Sequence, residues 1–117
     1  MSSAQIPVTV ATASGRITGV RRDGLHYFHS VRYSTIPSPF SPAKPLEGTC
    51  GQDAREPHPD DIALSITAPA DAAECPVVVY IHGGSYEHGT HEDPRLTGTT
   101  NARHGVIQVQ VGYRVGL

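Results

Sequence analysis

Apolar positions along this chain recur every second residue or in short unbroken runs, and almost nowhere with the 3.6-residue period of a helix. Residues 8–12, VTVAT, and 16–21, RITGVR, are β-branched runs separated by Ala13-Ser14-Gly15, which predicts a hairpin. A third extended segment is expected over 25–33, LHYFHSVRY. ALSITAP, 63–69, alternates as a half-buried strand does. CPVVVYIHGG, 75–84, contains a continuous apolar run of the kind found in central strands covered on both faces. The last expected strand is GVIQVQVGYRV, 105–115, where Gln108 and Gln110 place two amides on one face. A buried amide without partners costs on the order of 1–3 kcal/mol.

Between Ile36 and Pro59 the chain carries Pro37, Pro39, Pro42, Pro45, Pro57 and Pro59. Proline lacks the N–H that ladders and helices need, so an irregular surface segment is expected there. It is long for a loop, since more than about 15 structureless residues usually signal function or disorder. The nearest approach to a helix is 93–105, DPRLTGTTNARHG, with Asp93 as cap, Pro94 at the first position and Gly105 as terminator. Gly98, Thr99 and Thr100 weaken it. A sheet buried on both faces needs helices to cover it, and this sequence supplies almost none. The expectation is a strand-rich but incomplete fold.

The 117 residues fit one small domain, or part of a larger one, and no second domain is expected. Nine Lys+Arg against eleven Asp+Glu give a net charge of -2, which points to neither nucleic acid nor an anionic membrane. Cys50 and Cys75 are too few for a disulfide scaffold, and reduced thiols are expected. The N-terminus lacks the charged start and apolar run of a signal peptide, and no segment reaches about 18 apolar residues. A cytoplasmic location without membrane insertion is the expectation.

The stretch that invites chemistry is YIHGGSYEHGT, 80–90, where His82, Gly83 and Gly84 directly follow the apolar run. Glycines at a strand end let a substrate oxygen approach the main chain with no Cβ in the way. Backbone amides there can stabilise a developing oxyanion. For an arbitrary Gly-Gly a tight turn after a buried strand is the simpler account, and local spacing alone does not overturn it. His82, His88 and His91 with Glu92 and Asp93 match no standard zinc spacing, so no metal is expected, and no cofactor either.

PVVVYIHGGSYEHGT resembles the HGGG-type element of esterases and lipases, which supplies one oxyanion donor. The chain as a whole resembles the N-terminal part of the type-B carboxylesterases, the cholinesterase-like branch of the α/β-hydrolases. VTVATASGRITGV resembles their opening hairpin, YFHSVRYSTIP their F-x-G-I-P-Y-A, and TCGQ their C-x-Q. DDIALSITAP resembles E-D-C-L-x-L-N-V-x-x-P, and HGVIQVQVGYRVG the strand ending in N-Y-R-x-G. The five blocks are colinear over nearly the full chain. The resemblance implies an α/β fold, of which 1–117 would be the N-terminal hairpin and first strands of the central mixed sheet. It implies a serine esterase acting on small carboxylic esters through an acyl-enzyme. The oxyanion role falls on the amides of Gly84 and Ser85, with His82, Gly83 and Arg114 as structural members of the motifs. Tyr86 stands where the family has an aromatic that can line an acyl pocket, and packing beneath the Gly loop explains it equally well.

Several positions depart from the family. Ser85 replaces the third glycine, and Gly112 the Asn before Tyr113-Arg114. Ile62 occupies the position of the usual disulfide partner of Cys50, so that bridge is not expected. Pro39 replaces the Arg expected before Phe40, which deprives Asp60 of its ionic partner. A G-x-S-x-G elbow, an acid and a triad histidine should follow in that order, and the 117 residues contain no such elbow. The chain alone is therefore expected to be inactive, needing a second chain to complete the fold. The alternatives are a truncated product and a non-catalytic binding or adhesion member of the same fold, since fold does not fix function.

Overall fold

A computed structural model describes residues 5–13, 15–36, 38, 40–46, 51–58, 62–84, 89–92 and 98–114. The expected hairpin forms from β1 (Ile6–Thr12) and β2 (Gly15–Arg22), antiparallel, with Thr12 opposite Gly15. The Thr9 and Thr18 hydroxyls meet across it at 2.9 Å. Asp23-Gly24 then turns the chain into β3 (Leu25–Arg32), with φ of 54° and 78°. Two consecutive positive φ values are what a type I′ turn requires, and Asp-Gly is among the pairs that adopt it most readily.

β3 pairs antiparallel with β7 (Ala63–Pro69), which pairs antiparallel with β9 (Ile107–Val111); β8 (Val77–Ile81) lies parallel to β9. The order β1-β2-β3-β7-β9-β8, with β6 (Gln52–Asp53) parallel to β2, makes a mixed sheet. β4 (Ser34–Thr35) and β5 (Lys44–Pro45) form a separate two-residue ribbon. The proline-rich segment thus holds only the minimal pairings β5 and β6 beside irregular chain among its described residues. β6 nonetheless matters for the core. β2 and β3 pair only over their last three and first three residues, and Ala54, fully buried, inserts between them beyond that point. Its N–H donates to Thr18 O at 2.6 Å and its carbonyl accepts from His29 N at 2.8 Å, so the parted backbones remain satisfied.

Of the expected helix over 93–105, α1 covers Thr99–Arg103, and 93–97 lie outside the described residues. Gly98, expected to weaken the helix, stands at its N-cap instead. A Cβ there would come within 2.8 Å of Gln108 Cβ and 2.9 Å of Thr67 Cβ, so glycine lets the helix start press against β7 and β9. Termination follows the expected glycine. Gly105, at φ 80°, donates to Ala102 O and Val106 N donates to Asn101 O, the two bonds of a Schellman end. β8, α1 and β9 form a βαβ unit, the connection parallel neighbours require.

Two small apolar clusters lie in the sheet. Val20, Leu25, Tyr27 and Ala102 gather under α1. Phe28, Val31 and Ala54 gather with Val8, Ile17, Leu64 and Ile66. The apolar run expected to be a covered central strand, β8, instead forms the sheet edge among the described residues. Its five residues are 38–68 % exposed. The one helix among the described residues, five residues long, cannot cover it.

Candidate active site

Parallel pairing of Ile81 with Val111 brings the ends of β8 and β9 side by side. The segments that leave them, His82-Gly83-Gly84 and Gly112-Tyr113-Arg114, therefore share one rim, at the carboxyl ends of parallel strands where open α/β sheets bind ligands. His82 is buried, and its Nδ1 lies 2.7 Å from Gly83 O. A carbonyl only accepts, so Nδ1 carries the proton. Tyr113 stacks on this imidazole with centroids 4.1 Å apart and planes 9° from parallel, and its hydroxyl donates to His82 O. Gly89, at φ 120°, packs directly against the ring: a Cβ there would fall 2.1 Å from His82 Nδ1 and 2.7 Å from Gly83 O. Gly84 has φ 140°, a region closed to most side chains. The Gly-Gly stretch is thus a turn held in one conformation. Ser85 and Tyr86 lie outside the described residues, as do Cys50, Asp60, His88 and Asp93. Arg114 reaches from the end of β9 to donate through Nη1 to Ser41 O at 2.6 Å.

Behind this rim lies a polar layer that reading along the chain does not reveal. Gln108 and Gln110 are buried, yet their amides are chained: Asn101 Nδ2 donates to Gln108 Oε1 at 2.7 Å, Gln108 Nε2 to Gln110 Oε1 at 3.3 Å, and Gln110 Nε2 to His91 O at 3.2 Å. The cost of a partnerless amide does not arise. β3 carries an extra residue opposite β7 between Phe28 and Val31, and within it Ser30 adopts φ 56°. The bulge lets neighbours in sequence reach one segment: Ser30 Oγ lies 2.8 Å from His91 Nε2, and His29 Nδ1 donates to both oxygens of Glu92 at 3.1 and 3.2 Å. Ser30 occupies the glycine position of F-x-G-I-P-Y-A, and that glycine is the signal by which its left-handed backbone was legible.

A serine, a histidine and a carboxylate side by side raise the question of a catalytic triad. Here Glu92 Oε2 accepts from Ser30 Oγ itself at 3.2 Å, whereas a triad sets its carboxylate on the far nitrogen of the base. Ser30 Oγ also accepts from His58 N at 2.7 Å and is buried, so its bonding is structural. The cluster also accounts for a departure from the family. A Cβ at Gly112 would lie 2.2 Å from His91 Nδ1, so the ring occupies the space an Asn side chain would need. Among the described residues, no three His, Cys, Asp or Glu side chains are grouped to hold a metal ion.

The mixed sheet with its βαβ unit is part of an α/β-hydrolase fold, the fold of the solved carboxylesterases it superposes on. The profile of the carboxylesterase family matches residues 37–117, and the chain belongs to that family. It is 28% identical to the para-nitrobenzyl esterase of Bacillus subtilis, an alignment covering 92% of this chain and 27% of that protein. The fold superposes on a crystal structure of a Geobacillus stearothermophilus carboxylesterase with a TM-score of 0.82 and 28% identity, over 92% of this chain and 27% of the other. With the juvenile hormone esterase of Manduca sexta the TM-score is 0.83 at 25% identity, over 95% and 27% of the two chains. The chain thus spans about a quarter of the length of its relatives. Among the described residues no helix is long and apolar enough to cross a membrane.

Proposed function

We propose that residues 1–117 form the N-terminal part of one serine carboxylesterase domain and supply its oxyanion loop to a nucleophile, acid and base borne by the remainder of the fold. The observation that carries this reading is the Gly83-Gly84 turn, held by His82 at the carboxyl end of β8. In the reaction a serine attacks the ester carbonyl, and the amides of Gly84 and Ser85 donate to the oxygen as it gains charge. Collapse of the tetrahedral species expels the alcohol and leaves an acyl-enzyme, which water hydrolyses. Tyr86 would line the acyl side. A polypeptide supplying the rest of the fold would cover β8, which is now exposed on both faces. A cytoplasmic setting accords with Ile62 at the position of the usual disulfide partner of Cys50.

The test joins this chain to the remaining three quarters of the Bacillus subtilis para-nitrobenzyl esterase and measures turnover of short-chain p-nitrophenyl esters. Turnover should fall roughly 10²–10³-fold in Ser85→Pro, which deletes one amide donor. A folded chimera without turnover favours the non-catalytic alternative. Unimpaired turnover in Ser85→Pro would remove Ser85 from the oxyanion assignment.

A further inference from the structure

We propose that Tyr113 is a positioning residue for the oxyanion loop, acting through His82 on the Gly83–Gly84 peptide. The inference rests on the hydrolase reading above and extends it to a residue on a different strand end. A trans peptide is planar, so its C=O and the following N–H point in opposite directions. Whatever holds Gly83 O therefore also aims the Gly84 N–H, and His82 Nδ1 holds Gly83 O at 2.7 Å. The same rule applies one peptide earlier: Tyr113 Oη donates to His82 O and so fixes the direction of the Gly83 N–H. Two successive peptide planes are thereby set by two side-chain donors. The imidazole in turn has little freedom to rotate, lying against the Tyr113 ring on one face and beside the Cβ-free Gly89. Its Nε2 is buried and meets no hydrogen-bond partner among the described residues, where the Nδ1 bond and the stack set its pose. Among the described residues Tyr113 meets the loop through the His82 ring and the His82 carbonyl. It acts by keeping the donor direction in place before charge develops, which is where preorganised amides gain their advantage over water.

The experiment compares the completed protein, this chain joined to the remainder of the para-nitrobenzyl esterase, with its Tyr113→Phe and Tyr113→Leu variants. Two quantities are read: turnover of p-nitrophenyl acetate, and deuterium uptake by the peptide 82–90. Tyr113→Phe keeps the stack and loses the hydroxyl. It should lower kcat roughly tenfold to a hundredfold, with KM nearly unchanged, and raise uptake; Tyr113→Leu should do more of both. A merely structural tyrosine would lower the melting temperature and leave kcat per folded molecule as it was. If Tyr113→Phe changes neither kcat nor uptake in an active parent, the positioning role is wrong and the hydrolase reading stands. If the parent has no turnover while Tyr113→Phe raises uptake, the bracing stands and the hydrolase reading falls.

Discussion

Glu92 is the residue whose ionisation bears most directly on stability. Burial pushes its carboxyl up, but hydrogen bonds from His29 and Ser65 and the charges of His29 and His91 outweigh burial, holding it below its ordinary value of 4.5. A carboxyl with a depressed folded value contributes stability above its unfolded value and loses that contribution as pH falls through the folded one. In the completed protein, Glu92→Gln should therefore cost on the order of 1–3 kcal/mol near pH 7 by urea unfolding. The gap between parent and variant should narrow as pH falls below the ordinary carboxylate range. A gap that widened with acid would refute the assignment. The Asp53 carboxyl is held at about 2 by its hydrogen bonds with Arg55. That pair is exposed, and Asp53→Asn is expected to change stability little.

At the scale of elements, β8 is the exception to the rule that apolar runs are buried. Val77, Val79 and Ile81 are more than half exposed, and their strand pairs on one side only among the described residues. An exposed apolar edge templates pairing with other chains. Val79→Lys should therefore reduce light scattering by the isolated chain while leaving far-ultraviolet circular dichroism unchanged, because a charge there opposes edge-to-edge pairing. Unchanged scattering would locate the association elsewhere. Within a complete hydrolase the same substitution should destabilise, since the charge would then face a covering element.

For the molecule as a whole, the sheet outruns its cover. Among the described residues, two small apolar clusters and a five-residue helix lie against a sheet that extends to β8. The 117-residue chain expressed alone is expected to aggregate or remain partly unfolded, and to become monodisperse when the rest of the fold is supplied. Size-exclusion chromatography with a thermal melt checks this. A monomer with a cooperative transition would show these residues to be a self-sufficient unit.

The sequence by itself determined the main strands, the first hairpin, the glycine that ends α1 and, through five colinear blocks, the family, because each is carried by local periodicity or by a short motif. Asp23-Gly24 was legible too, as a hairpin pair, although it lay hidden between two runs read only as extended. The tertiary structure alone decided the wedge of Ala54 between β2 and β3, the chain of amides through Gln108 and Gln110, and the meeting of Ser30 with His91, 61 residues away. It also decided that β8 stands at an edge and that Tyr113 lies on His82. The physical reason is the same in each case. A strand's period reports which side chains share a face, but the partner across that face is set by pairing between distant segments, and one bulge or crossover changes it without altering the local pattern.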